Sequence, residues 1–247
     1  VDLADFEKIT RIGFGSFGEV FVVKHVRTGK RYAAKVSLRP LEENSKSEIR
    51  NLNREINILS RLNHPTVLRF LGFSPTNFFQ EDKPTIITDY MKNGSLEQII
   101  SLERQSLSVI GWDDTRKLIT IYGIASALKY LHESQIIHRD LKPDNILMDE
   151  YLIPKIADFG LSKIIHTNGS LSTSQSTVGI KGTLLYMAPE IHLKNEYSTK
   201  TDVYAFAMIV YEIMTNERPF TDLKSFEISW KVTEGGRPEF KFPLASS

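Results

Sequence analysis

Across the first ninety residues the apolar positions fall in short runs broken by turns, and beyond them the same residue types recur at steps of three and four. That change of spacing predicts a β-rich part followed by a helical part. Phe6 to Ile12 has strand character, Gly13-Phe14-Gly15-Ser16-Phe17-Gly18 makes a turn, and Glu19-Val20-Phe21-Val22-Val23 is strand again. A second turn at Arg27-Thr28-Gly29-Lys30 leads into a third strand, Arg31 to Val36. Ser45 and Glu48 then form a capping-box pattern, and Ile49, Leu52, Ile56, Leu59 and Leu62 mark one face of a helix. His64-Pro65 closes that region, and Leu68 to Phe73 and Thr85 to Asp89 read as two more strands. Five strands and one helix make a compact, mostly antiparallel unit.

Asp89 to Gly94 is turn-rich, and the boundary between the two parts is placed there. A second capping pattern follows at Ser95 and Gln98, Ser101 to Gly111 reads as a loose connection, and Leu118, Ile121, Tyr122, Ala125 and Leu128 keep helical spacing up to His132. Ser162 to Lys181 is rich in serine, threonine and glycine with little periodicity, which predicts a long loop of the kind that is functional or mobile. Asp202 to Thr215 is apolar nearly all round and is expected to be the core helix of the second part.

Composition narrows the classes. A chain of 247 residues with 41% hydrophobic and 25% charged content is an ordinary globular protein, long enough for one large core or two modest ones. With 31 basic against 30 acidic residues, no global field draws it to nucleic acid or a lipid surface. The absence of cysteine excludes disulfides, a thiol nucleophile and thiolate metal sites, and suits a cytoplasmic chain. His64, His132, His166 and His192 lack the spacing of a metal site. The longest apolar run, Val203 to Tyr211, is far short of the roughly 20 residues of a membrane span. Val1 is not an initiator methionine and no leader pattern follows it, so the expectation is a domain from a longer chain with further domains.

The chemistry concentrates in His138-Arg139-Asp140-Leu141-Lys142-Pro143-Asp144-Asn145 and in Asp158-Phe159-Gly160. Together they supply a carboxylate, an amine, an amide and a second carboxylate. Phosphoryl transfer needs such groups: an oxygen to orient a hydroxyl, a cation for the phosphate, and oxygen ligands for magnesium. Glycines at 13, 15 and 18 would let backbone N–H groups approach phosphate oxygens. The rival dinucleotide fingerprint must open a helix, whereas a β-branched run follows here. In the third strand Lys35 shares a face with Ala33, looking onto the glycine turn. Glu55 lies three after Leu52 and four before Leu59, on the buried face of its helix, where a carboxylate is costly unless a cation meets it. Lys35 is the cation in reach.

This ordered set resembles a eukaryotic protein kinase domain of serine/threonine type over nearly the whole chain. The resemblance implies an α+β, two-lobed fold: an N-lobe (residues 1–88) of five antiparallel strands and one helix, a hinge (89–94), and a mainly helical C-lobe (95–247). It implies that ATP and Mg2+ are used. Gly13, Gly15 and Gly18 would cover the ATP phosphates, and Lys35, paired with Glu55, would hold two of them. Ile12, Val20, Ala33 and Leu147 would sandwich the adenine, with Thr88 as gatekeeper and Asp89 to Met91 as the hinge. Asp140 would be the catalytic base, Lys142 its companion, and Asn145 and Asp158 the magnesium ligands. Arg139 would receive a phosphate carried by one of Ser172, Thr173, Ser174, Ser176 or Thr177.

Lys142, two after the aspartate, and Gly182-Thr183 before Ala188-Pro189-Glu190 are similar to the serine/threonine pattern, so serine and threonine hydroxyls of a protein are the implied acceptors. Thr88 to Leu96 and Asp202 to Phe206 resemble the tyrosine-kinase-like branch. The chain departs from the family in ending at Ser247, short of several C-terminal helices and of the arginine that normally meets Glu190, and in carrying Tyr204 and Ala207 where tryptophan and glycine are commoner. The alternative reading is an ATP-binding pseudokinase or scaffold module.

Overall fold

The computed structural model of the 247-residue chain describes residues 1–15, 18–40, 46–164 and 183–240. It divides into two compact units, Val1–Lys92 with Ala157–Leu161, and Asn93–Ile156 with Ser162–Ser247. The short segment containing Asp158 thus packs with the first unit although it lies far along the chain.

The first unit is built on β1 (Phe6–Gly15), β2 (Gly18–His25), β3 (Arg31–Val36), β4 (Phe70–Ser74) and β5 (Thr85–Asp89). They form one sheet in the order β1-β2-β3-β5-β4, and every pairing is antiparallel. β1 and β2 run further into the glycine turn than the sequence suggests, because Gly13 pairs with Val20 and Gly15 with Gly18 across the ladder. Leu3, Phe6, Val23, Ala34 and Ile87 are buried against one another, with Phe21, Tyr32, Leu71 and Phe78 around them. In β3 the buried Ala34 and Val36 alternate with the half-buried Ala33 and Lys35, the two-residue period of a strand. The helix α1 (Lys46–Leu59) ends before Leu62, which sits in a closing turn; the expected cap at Ser45 lies outside the described residues.

The second unit contains α2 (Leu96–Arg104), α3 (Asp114–Glu133), α4 (Pro189–Lys194), α5 (Thr199–Thr215) and α6 (Ser225–Thr233). Two short ladders accompany them, β6 (Ile136–Ile137) with β9 (Lys163–Ile164), and β7 (Ile146–Met148) with β8 (Pro154–Ile156). Ser95 opens α2 through a full capping box with Gln98, worth about 1 kcal/mol. Ser101 to Arg104 is helical, not a loose connection, because Arg104 anchors the last turn on Glu97 and Glu212. Most of the expected loop from Ser162 lies outside the described residues. The helix α5 buries Ala205, Met208, Ile209 and Ile213 on one side. Val203 and Met214 are each 47% exposed, so the nearly all-round apolar pattern does not make α5 fully enclosed. No described helix is long and apolar enough to cross a membrane.

Two buried carboxylates in α5 had no assigned role in the pattern. At its start, Asp202 accepts the backbone N–H groups of His138 (2.8 Å) and Arg139 (2.9 Å) and lies 2.9 Å from His132 Nε2. Near its end, Glu212 accepts the Tyr186 hydroxyl at 2.7 Å and Arg104 Nη2 at 3.1 Å, while Arg104 and Arg218 both reach Glu97. Glu212 thereby ties together α5, α2 and the 3-10 turn Thr183–Tyr186.

Burial pushes the Glu212 carboxyl up to about 7 from its ordinary 4.5, against the opposing pull of Tyr186 and Arg104. A carboxyl raised in the folded state keeps a proton that the unfolded chain releases, so its contribution is full below pH 4.5 and is lost as pH rises through 7. Glu212→Gln abolishes that titration. Chemical denaturation between pH 5 and 8 is expected to show wild type losing up to about 3 kcal/mol relative to this variant; parallel pH curves for the two proteins would contradict the assignment.

Candidate active site

The residues singled out for chemistry divide between the two units. Ile12, Gly13, Gly15, Gly18, Val20, Ala33, Lys35, Glu55, Thr88, Asp89, Met91 and Asp158 belong to the first, and Asp140, Lys142, Asn145 and Leu147 to the second.

In the first unit β3 carries Lys35 opposite Val20 of β2 and Ala33 opposite Thr88 of β5. Gly13 pairs with Val20, which puts the glycine turn and the Lys35 position on neighbouring strands. Gly18 has a φ of +153°, and a Cβ there would lie 2.2 Å from the Val36 carbonyl oxygen, so a side chain is excluded by backbone. Ile12 is half exposed, at 50%. Asp89 is held by Lys30 at 3.1 Å at the end of β5, and Met91 follows it half-buried.

Lys35 Nζ lies 2.9 and 3.2 Å from the two carboxylate oxygens of Glu55, so the costly buried carboxylate of α1 is met by the lysine that the pattern offered. Burial pulls the Lys35 ammonium down, but Glu55 and then Asp158 outweigh it and hold its pKa above the usual lysine value. The lysine is therefore a fixed cation at neutral pH, flanked by two carboxylates. Asp158 has a left-handed backbone, φ +60°, and its Oδ1 accepts the Gly160 N–H at 3.4 Å. A Cβ on Gly160 would stand 3.8 Å from Glu55 Oε2, which fixes how near this turn lies to the ion pair.

The second unit gathers Asp140, Lys142 and Asn145. Lys142 Nζ donates to Asp140 Oδ2 at 2.8 Å, and Asn145 Nδ2 donates to the same oxygen at 2.9 Å and to the Asp140 carbonyl at 2.7 Å. Asn145 reaches back because Pro143–Asn145 is a single 3-10 turn with Pro143 at its first position. Both donors fall on one carboxylate oxygen, which orients the group. Leu147, half-buried in β7, bridges to Ser95.

His138 is fully buried, its backbone N–H on Asp202 and its carbonyl on the Ser162 hydroxyl at 3.1 Å, in keeping with a structural histidine. Asp149 is a turn residue, accepting the N–H groups of Tyr151 and Ile153. Ser172 to Thr177 lie outside the described residues. The sequence reading missed Asp202, which positions the backbone ahead of Asp140. Its signal was an acid in the first turn of an otherwise apolar helix, where the helix dipole favours it.

Residues 6–242 match the protein kinase domain. The chain is 36% identical over 244 residues to the serine/threonine-protein kinase VIK of Arabidopsis thaliana, covering 96% of this chain and 52% of that protein. It is 36% identical over 217 residues to the Arabidopsis thaliana cysteine-rich receptor-like protein kinase 29, covering 87% of this chain and 30% of the relative. With the Oryza sativa subsp. japonica cysteine-rich receptor-like protein kinase 10 the figures are 34% over 219 residues, 87% and 32%. The chain thus spans about half of the first relative and about a third of the other two. With a match that runs from the first strand to beyond α6, the chain belongs to the protein kinase domain family.

Proposed function

We propose that the chain transfers the γ-phosphoryl group of ATP to serine and threonine hydroxyls of protein substrates, as the catalytic part of a longer protein. The observation that carries this is the Asp140 carboxylate with one oxygen held by both Lys142 and Asn145. That arrangement leaves the other oxygen, Oδ1, to accept the proton of an incoming hydroxyl and aim its lone pair at phosphorus. Lys142, 2.8 Å from the base, is placed to follow the charge of the transferring group. On the nucleotide side, the Lys35 ammonium fixed by Glu55 would hold phosphate oxygens, the glycine turn would offer backbone N–H groups, and Ile12, Val20, Ala33, Leu147, Thr88 and Asp89 to Met91 would receive the adenine. The serine/threonine choice rests on Lys142 and Thr183 and on the similarity to the serine/threonine-protein kinase VIK. The need for ATP is the ground for placing the reaction in the cytoplasm.

Asn145 and Asp158 suit magnesium. Both offer hard oxygen donors, and the Asn145 nitrogen is committed to Asp140, which leaves its oxygen for a metal. When bound, the ion neutralises charge on the phosphates.

Two variants separate the roles. Asp140→Ala is expected to lower transfer of labelled phosphate from ATP by roughly 100-fold or more while nucleotide binding persists, because a base acts on the acceptor and not on the nucleotide. Lys35→Ala is expected to lose ATP affinity and rate together. Phospho-amino-acid analysis of the wild-type product should yield phosphoserine and phosphothreonine; phosphotyrosine as the main product, or wild-type transfer by Asp140→Ala, would refute the proposal.

Regulation is proposed through Arg139. A phosphate on one of Ser172, Thr173, Ser174, Ser176 or Thr177 would bring up to about two negative charges to that guanidinium. Mass spectrometry of active protein is expected to find at least one of the five modified, and activity in protein with all five unmodified would count against it.

A further inference from the structure

Arg139 is unusual among the residues around Asp140. Its backbone is left-handed, φ +73°, a conformation that is unfavourable for a non-glycine residue and persists only where its surroundings impose it. From the inside, Asp202 takes its N–H. From the outside, its guanidinium carbon lies 4.1 Å from the centroid of the Tyr197 ring. Arg139 Nε is buried and bonded to no described residue, and no described carboxylate lies within ion-pair reach of this arginine. Among the described residues the ring of Tyr197 is what meets its charge.

Tyr197 is a firm support. It sits between Asn195, the left-handed cap of α4, and Ser198, whose side chain and carbonyl cap α5 through Lys200 and Thr201. A small pocket of about 10 Å³, room for a single water, is lined by Arg139, Asp140, Tyr186, Thr201 and Asp202 among others.

We propose that Tyr197 is a positioning residue for the phosphoryl transfer proposed above: its ring holds the Arg139 guanidinium, and through it the left-handed turn that aims Asp140. Tyr197 touches no reacting atom. The inference rests on the reading of Asp140 as the residue that orients the acceptor hydroxyl. A cation over a tyrosine face contributes enough to shift a rate by roughly three- to thirty-fold when lost.

The test is steady-state transfer kinetics on wild type, Tyr197→Phe, Tyr197→Leu, Arg139→Leu and the Arg139→Leu/Tyr197→Leu double variant, with Asp140→Ala alongside. Leucine keeps apolar volume and removes the π face. Tyr197→Leu is expected to lower kcat roughly three- to thirty-fold with the KM for ATP within about two-fold of wild type. Tyr197→Phe should restore kcat to within about two-fold, and Tyr197→Leu should cost nothing further in the Arg139→Leu background. Wild-type kcat in Tyr197→Leu, a phenylalanine variant as slow as the leucine one, or additive losses in the double variant would overturn the proposal. So would loss of a cooperative melt in Tyr197→Leu, which would assign the ring to packing. Absence of transfer by wild type, or undiminished transfer by Asp140→Ala, would instead remove the reading beneath it.

Discussion

The second unit depends on one buried carboxylate. Asp202 is almost wholly removed from water, at 1% exposure, a position that would be prohibitive for a charge without partners. It is compensated by two backbone N–H groups, from His138 and Arg139, and by the ring of His132 from α3. The same bonds that make its burial tolerable fix the backbone of the segment leading into Asp140. Stability and positioning are therefore one interaction: the helix start needs those donors, and the segment has no regular ladder of its own there to hold it. The short ladder β6–β9 ends just before it, at Ile137.

The first unit solves the equivalent problem with opposite charges. Glu55 is turned inward by the helical period of α1, and Lys35 by the strand period of β3; neither would be stable where it is without the other. The second carboxylate, Asp158, adds to the field that keeps the lysine charged against its desolvation. A pair of this kind is a poor source of stability but a good means of fixing a cation at one point.

Much of this was legible in the chain. The five strands, the helix bearing Glu55 and the long helices of the second part follow from apolar spacing, because each buries one face and its period records which. The Lys35–Glu55 contact was legible for a further reason: a carboxylate on an apolar face demands a cation, and only one stood in reach. What stayed hidden has other physical origins. Glu212 interrupts an apolar helix as Glu55 interrupts an apolar face, yet its partners, Tyr186 and Arg104, lie 26 and 108 residues away, and nothing local announces them. Arg104 also explains why Ser101 to Arg104 is helical, an outcome that depends on tertiary anchoring. The ladders β6–β9 and β7–β8, of two and three residues a strand, are too short to show a period.

Backbone strain is the most thoroughly hidden feature, and two of the nine described non-glycine residues with positive φ fall at the candidate site. Arg139 and Asp158 both adopt positive φ without being glycine, and each adjoins or is a residue assigned to phosphoryl transfer. Composition cannot reveal this, since arginine and aspartate are unremarkable in a loop. Each conformation is unfavourable alone by about 1–3 kcal/mol, so each implies constraints that exceed that cost. For Asp158 the turn is closed by its own side chain on the Gly160 N–H, and the carboxylate lies in the field of Lys35. For Arg139 the inner constraint is Asp202 and the outer one is the Tyr197 ring. A residue forced into such a shape from two sides has little freedom to drift, and the carboxylate that follows it inherits that rigidity.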